Sequence, residues 1–149
     1  SCDIYLARKE NGEWSRGRNL GEVINSRSWE SQPSFAPDGR TLYFVKRVGR
    51  GRESRKDIFR TQITGAGWSA PERVSINTSG NEESPYIHPD GETFYFVSDG
   101  YLGLGGRDLF MSRIDSNGEF GEPVNLGYPI NSANDEASLI VSANGQRAY

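Results

Sequence analysis

Cysteine, histidine and methionine are almost missing from this chain, which has one residue of each among its 149. The single cysteine, Cys2, cannot form an internal disulfide and cannot build a cysteine-based zinc site. The single histidine, His88, stands in no H-E-x-x-H motif, and the chain has no G-x-S-x-G nucleophile elbow. We therefore predict a protein that is not an enzyme, with no catalytic residues, no metal site and no cofactor.

Excess positive charge and long apolar runs are missing as well. The formal net charge is −3 at pH 7, and hydrophobic residues make up 34% of the chain. Domains that bind nucleic acid are usually basic, and a membrane-spanning helix needs about 20 consecutive apolar residues. We predict that the protein binds no nucleic acid and does not insert directly into a membrane.

Turn-forming and aromatic residues are plentiful by contrast. The chain contains 18 Gly, 7 Pro, 7 Tyr, 7 Phe and 3 Trp. Many turns combined with aromatic anchors favour an all-β protein. No segment has both an apolar repeat of 3.6 residues and capping residues at its ends, so we expect no substantial helix.

Several motifs recur along the chain at intervals of 51 to 54 residues. They agree on one register, which makes chance a poor explanation. The recurring groups are Asp3-Ile4-Tyr5, Asp57-Ile58-Phe59 and Asp108-Leu109-Phe110; Trp14, Trp68 and Phe120; Asn25, Asn77 and Asn131; and the turns Pro37-Asp38-Gly39, Pro89-Asp90-Gly91 and Ala143-Asn144-Gly145. A period of this length with several short strands predicts the blades of a β-propeller, each of four antiparallel strands.

The register divides the chain into about three blades. We predict a half blade at 1–28, whole blades at 29–80 and 81–134, and a half blade at 135–149. Within the first whole blade we place strands at 34–36, 41–45, 57–63 and 72–75. Adjacent strand residues face opposite sides of a sheet, but propeller sheets pack on both sides. We therefore expect a core of Tyr5, Tyr43, Phe44, Phe59, Tyr95, Phe96 and Phe110.

The repeat resembles the TolB-type propeller repeat, a WD-like repeat built around Pro-Asp-Gly. The resemblance rests on Pro33 to Gly39, Leu42-Tyr43-Phe44 and Asp57-Ile58-Phe59, and on the matching residues of the next unit. The Gly-Gly-x-Asp loop ending, the Trp-Ser-x-Pro stretch and the Ile-Asn-Thr segment are similar to propellers of OmpA-family envelope proteins of Bacteroidetes-type bacteria, including the PorE type.

That resemblance implies a non-catalytic scaffold or binding module. Its partners would be proteins of the cell envelope, in the periplasm or at the outer membrane, in an OmpA-like peptidoglycan-associated or type IX secretion component. Two alternatives stay open. The propeller could belong to a prolyl-oligopeptidase-like hydrolase whose chemistry lies in another domain, or it could bind glycans.

The loops that follow the second strands of the two whole blades differ sharply in charge, and they contain the candidate binding residues. Residues 46–56 carry six positive charges and one negative charge, and arginine forks suit carboxylates and phosphates. The matching residues 98–107 carry outward-looking Tyr and Leu among glycines. The candidate set is Arg47, Arg50, Arg52, Arg55, Lys56, Tyr101, Leu102 and Leu104.

The residues that recur in every unit have a structural interpretation instead. A specific ligand site tends to break a repeat, whereas a fold-stabilising contact recurs with it. We expect the repeated Asn, and the Glu found five residues after each, to fix loop backbone at blade junctions. We expect the repeated Asp to accept hydrogen bonds from adjacent backbone or from the glycine-rich loop.

The positions of the half blades lead to a further expectation. The first half blade would supply outer strands and the last would supply inner strands. The chain is therefore either a segment of a longer propeller, or two copies exchange half blades and close a ring as a homodimer with two-fold symmetry.

Overall fold

The structure is a computed structural model that describes residues 2–149. It is built of β-strands and turns, with a single 3-10 turn at Gly51–Glu53 among the described residues. The strands are β1 Tyr5–Leu6, β2 Lys9–Glu10, β3 Glu13–Trp14, β4 Arg18–Asn19, β5 Glu30–Phe35, β6 Thr41–Val48, β7 Arg55–Thr64, β8 Gly67–Trp68, β9 Glu72–Arg73, β10 Glu82–Ile87, β11 Thr93–Ser98, β12 Asp108–Arg113 and β13 Val124–Asn125. The prediction of an all-β protein without substantial helix is confirmed.

Two antiparallel sheets follow each other along the chain. In the first, β5, β6 and β7 pair in order, and β7 also pairs with the short strands β8 and β9. In the second, β10, β11, β12 and β13 pair in order. Smaller elements flank them: β1 pairs with β4, β2 with β3, and Val141 with Ala148. The division at 28/29, 80/81 and 134/135 stays a prediction.

The Pro-Asp-Gly turn joins the first and second strands of each sheet. In the first sheet, Oδ1 of Asp38 accepts hydrogen bonds from the backbone N–H groups of Arg40 and Thr41, and Oδ2 accepts one from the Thr41 hydroxyl. Gly39 has φ 65°, a left-handed conformation that glycine adopts without strain. The turn therefore forms because its aspartate replaces backbone partners and its glycine allows the reversal.

β6 and β7 are longer than the sequence indicates. Their pairing continues through Lys46–Asp57 and Arg47–Lys56 to Val48–Arg55. The predicted loop 46–56 is therefore wrong at both ends, since only 49–54 connects the strands. Arg47, Arg55 and Lys56 lie on strand ends, where backbone pairing fixes their positions.

The core consists of three apolar clusters between successive sheets, because each sheet packs on both sides. Phe44 packs toward the N-terminal strands, whereas its neighbour Tyr43 packs toward the second sheet. Phe96 and Val97 divide in the same way. The predicted burial of Tyr43, Phe44, Phe96 and Phe110 is confirmed, whereas Phe59 and Tyr95 are half-buried.

Tyr5 was predicted to be buried, and this is wrong, since it is 60% exposed. Its counterparts Phe59 and Phe110 pack against the sheet that precedes their own. Within residues 2–149 no sheet lies on the corresponding side of β1. Trp14 is 70% exposed for the same reason, although its counterpart Trp68 is packed.

Candidate functional site

The repeated asparagines bind the backbone of the third strand in each unit. The side-chain amide imitates a neighbouring strand, because its Oδ1 accepts the N–H of one residue and its Nδ2 donates to the C=O of the same residue. The pairs are Asn25 with Ile4 (2.8 and 3.0 Å), Asn77 with Ile58 (2.7 and 2.7 Å), and Asn131 with Leu109 (2.8 and 2.8 Å). The structural interpretation of these asparagines is confirmed.

The repeated glutamates fix the loop that follows each asparagine. Each carboxylate accepts hydrogen bonds from the backbone N–H and the hydroxyl of the residue four positions earlier. The pairs are Glu30 with Ser26, Glu82 with Thr78, and Glu136 with Ser132. These loops join one sheet to the next at the end where β6 and β7, and β11 and β12, are connected. We call this end the junction-loop face.

The repeated aspartates behave differently in the two sheets. Asp108 accepts hydrogen bonds from the N–H groups of Leu104 and Gly105, as the sequence predicts. Asp57 instead accepts from Nε of Arg55 at 3.1 Å and Nε of Arg73 at 2.6 Å. The prediction for Asp57 is therefore wrong, because guanidinium groups take the place of the loop N–H donors.

The candidate cations separate into paired and unpaired groups. Besides Arg55, Lys56 is paired: its Nζ lies 2.7 Å from Oε2 of Glu83. Arg47, Arg50 and Arg52 are exposed, and none has a carboxylate within ion-pair distance among residues 2–149. Within 46–56, the positive charge without an ion-pair partner among residues 2–149 thus lies on these three arginines.

The loop 98–107 also separates into inward and outward residues. The sequence predicts an exposed Tyr101, but the structure shows that its side chain faces inward. Its ring centroid lies 5.2 Å from that of Phe110, and its hydroxyl donates to the Ile76 carbonyl at 2.7 Å. Burial raises the pKa of Tyr101, and the nearby carboxylates raise it further by a smaller amount. The phenol therefore stays a neutral donor. Leu102 and Leu104 point outward, with 96% and 56% exposure.

Asn81 connects the two loops across the blade junction. Its Oδ1 accepts the backbone N–H of Lys56 at 3.0 Å. Its Nδ2 donates to Oδ2 of Asp99 at 2.8 Å, and its own N–H donates to Oδ1 at 2.6 Å. The structure therefore brings the strand-adjacent ends of both candidate loops together on one face.

Trp29 is a residue of this face that sequence reasoning missed. Two cations lie over its ring, with Cζ of Arg47 6.0 Å and Nζ of Lys56 5.2 Å from the ring centroid. The equivalent positions in the later units hold Asn81 and Asp135. An aromatic residue that interrupts a polar repeat position is the signal that could have identified it.

The opposite end of the two sheets holds a cavity of about 410 Å³ between them, lined in part by Asp38, Tyr43 and Arg60. Its polar groups are largely engaged within the protein: Asp38 binds its own turn, and Arg60 donates to the Gly118 carbonyl. His88, at the same end, accepts the N–H of Asp90 on Nδ1 and contacts the Ser142 carbonyl through Nε2 at 3.0 Å. These contacts are structural, and they leave the junction-loop face as the candidate site.

Neither a membrane-spanning helix nor a metal-binding cluster is found among residues 2–149. No helix there has the length and apolar character needed to cross a membrane. No three side chains of the His, Cys, Asp and Glu types gather in that range where they could hold a metal ion.

Comparison with known proteins connects the chain to solved TolB structures. No protein-family model and no curated protein sequence matches it. The crystal structure of TolB from Acinetobacter baumannii superposes with a TM-score of 0.60 at 21% identity, over 98% of this chain and 31% of that one. A TolB structure from Agrobacterium tumefaciens gives 0.57 at 24% identity, over 99% and 49%. The chain thus has the TolB-type propeller fold and spans less than half of either protein.

Proposed function

We propose that this chain is a non-catalytic β-propeller module of a cell-envelope protein and binds protein partners through its junction-loop face. The TolB-type fold supports the general class, because the two similar structures are TolB proteins. Fold alone does not specify a function, so the proposal depends on the chemistry of a site.

The observation that carries the proposal is the group of three exposed arginines that have no ion-pair partner among residues 2–149. Arg47 lies on a paired strand, and Arg50 and Arg52 lie in the short connection after it. A positively charged patch on a chain of net charge −3 attracts an acidic partner locally without making the whole protein basic.

The other candidate residues have supporting or additional contact roles in this proposal. Arg55 and Lys56 hold the strand ends through Asp57 and Glu83. Tyr101 anchors the glycine-rich loop that presents Leu102 and Leu104 to a partner. Exposed leucines on the same face as the arginines add apolar contact area, which interfaces need at their centre.

We further propose a periplasmic position, associated with the outer membrane, in an OmpA-like peptidoglycan-associated or type IX secretion component. The sequence motifs of the repeat support this context. A homodimer with exchanged half blades, and the blade boundaries at 28/29, 80/81 and 134/135, belong to the same proposal. Fractionation of the source cells tests the location, and light scattering of the purified chain tests the dimer.

The binding proposal is tested by replacing Arg47, Arg50 and Arg52 together with Ser. The matched control replaces three exposed cations of the N-terminal region, Arg8, Lys9 and Arg16. Immobilised wild type and control should retain the same envelope protein, identified by cross-linking mass spectrometry, and the Arg47/Arg50/Arg52 variant should lose it. Retention should weaken with added salt, because exposed charges are screened. Equal retention by all three proteins would contradict the proposal.

A further inference from the structure

The junction loops that precede the first and second sheets share the same backbone contacts but differ in one pair of side chains. The pair is Trp29 with Arg47 in the first sheet and Asn81 with Asp99 in the second. The N–H of Arg47 donates to the Trp29 carbonyl at 2.9 Å, and the N–H of Asp99 donates to the Asn81 carbonyl at 3.2 Å. The two pairs therefore occupy equivalent positions in the two sheets. Any difference in what they bind comes from the side chains.

The second pair uses its polar groups internally. Asp99 accepts both the backbone N–H and the side-chain amide of Asn81. The first pair does not: the guanidinium of Arg47 lies over the indole of Trp29. A cation–π contact orients a guanidinium but consumes none of its N–H donors. Among residues 2–149 the Arg47 side chain has no hydrogen-bond acceptor, so its donors remain available to a ligand.

A groove of about 610 Å³ lies beside this pair, lined by Cys2, Arg27, Ser28, Trp29 and Arg47. Arg27 is exposed and has no ion pair with any described residue. The Ser28 hydroxyl is engaged, since it donates to the Arg47 carbonyl at 2.8 Å. The groove thus offers two guanidinium groups and one indole, all absent from the equivalent positions Ser79, Asn81 and Asp99.

We propose that this groove binds an acidic peptide segment of the protein partner, an inference that rests on the proposed function. Carboxylates of the segment pair with Arg47 and Arg27, because a guanidinium fork matches the two oxygens of a carboxylate. An aromatic or apolar residue beside those carboxylates packs on Trp29.

A peptide fits this groove better than a free phosphate or an anionic membrane. In the loop before Trp29, the N–H of Ser26 donates to Glu30 and the N–H of Ser28 donates to the Ser26 hydroxyl, so the loop offers no ring of free N–H groups around an anion. A net charge of −3 opposes approach to an extended anionic surface, whereas a short acidic segment meets only the local cations.

The test uses a short fluorescein-labelled peptide that alternates Glu with Tyr, and a counterpart that alternates Gln with Tyr. The variant W29N/R47D installs the side-chain pair with which the second sheet already folds. The matched control, W14N/R8D, makes the same two changes at exposed residues elsewhere. The single variant Arg47→Ser retains Trp29, and it replaces W29N/R47D in the binding measurement if the double variant is less stable than the wild type.

Wild type and control should bind the Glu peptide at least about tenfold more tightly than the Gln peptide. W29N/R47D and Arg47→Ser should lose that preference, and binding should weaken between about 0.05 M and about 0.5 M salt. Equal binding of both peptides, or unchanged binding by the variants, would overturn the inference. So would tighter binding of inorganic phosphate or of phosphatidylglycerol vesicles than of the Glu peptide. If the envelope protein still depends on Arg47, Arg50 and Arg52 while the Glu peptide does not bind, the proposed function stands and only the acidic-peptide inference fails.

Discussion

The connection between β6 and β7 and the connection between β11 and β12 occupy the same place in two sheets that share one repeat. The first is short and basic, because its strands continue to Val48 and Arg55. The second is glycine-rich and folds back on the protein. Beneath both, Asn77 and Asn131 make the same pair of backbone contacts. The repeat therefore fixes the buried framework, while the exposed connections are free to diverge.

Different contacts surround the two connections. In the first, Asp57 holds Arg55 and Arg73, so ion pairs brace the strand ends. In the second, the backbone approaches so closely that a Cβ at Gly105 would lie 1.9 Å from the Asn134 carbonyl oxygen. A connection whose arginines have no ion pair within residues 2–149 suits recognition, whereas a closely packed one suits the presentation of Leu102 and Leu104.

If the two sheets share one framework, truncation of equivalent core residues should cost similar amounts. Phe44→Ala and Phe96→Ala each remove a fully buried ring and should lower the free energy of unfolding by about 3–5 kcal/mol. Urea unfolding measures both. A loss below about 1 kcal/mol for one of them would show that the frameworks are not equivalent.

The asparagine contacts should give the next largest effect. Asn77→Ala and Asn131→Ala each leave one buried backbone N–H without a partner, which should cost about 2–3 kcal/mol; the C=O groups of Ile58 and Leu109 still accept the N–H groups of Val74 and Leu126. Amide hydrogen exchange at Ile58 and Leu109 provides a local measurement. If exchange at these amides stays unchanged in the variants, the side chains do not hold the strands.

Much of this framework could be predicted from the sequence, because buried contacts that recur must use recurring residues. Asn25, Asn77 and Asn131 stand out for that reason. Tyr5 could not be assigned correctly, since burial depends on which sheet lies opposite and not on the residue's own strand pattern. The extension of β6 through Arg47 was also missed, because charged residues carry little intrinsic strand preference.

The candidate site was predictable only in part. The excess of positive charge in 46–56 identified Arg47, Arg50 and Arg52, but the sequence does not show that Asp57 and Glu83 neutralise Arg55 and Lys56. Those partners come from separate strands, and only the folded chain brings them together. The contacts of Trp29 could not be assigned from the sequence, because the cations that lie over its ring come from the ends of two other strands.

The difference between the two connections can be tested directly at glycines. Gly105→Ala places a methyl group against backbone and should cost about 1–3 kcal/mol of unfolding free energy. Gly65→Ala, in the turn between β7 and β8, meets no atom within 4 Å and should be close to neutral. Thermal unfolding compares the two variants. Equal melting temperatures would mean that the 98–107 connection is not closely packed.

The smallest expected effect concerns the turn aspartates of the two sheets, Asp38 and Asp90, which accept equivalent hydrogen bonds. Partial burial raises the pKa of Asp90, but the hydrogen bonds from Thr93 and Glu92, together with the charge of His88, outweigh burial and lower it from 3.8 to about 2. Burial also raises the pKa of Asp38, but the hydrogen bonds from Thr41 and Arg40 outweigh burial and lower it. No histidine contributes there, because Ala36 stands where the second sheet has His88.

A carboxyl whose pKa is lower in the folded than in the unfolded chain stabilises the fold fully above the unfolded value, and this contribution is lost as the pH falls through the folded value. For Asp90 the loss should extend from about pH 4 to about pH 2. The Asp90 side chain is 37% exposed, so solvent screening should keep the effect below about 1 kcal/mol. Urea unfolding of wild type, Asp90→Asn and Asp38→Asn at about pH 5 and about pH 2.5 measures it. The stability difference between wild type and Asp90→Asn should shrink at the lower pH, and by more than the difference for Asp38→Asn. A difference that is the same at both pH values would show that the Asp90 carboxylate does not stabilise its turn through its charge.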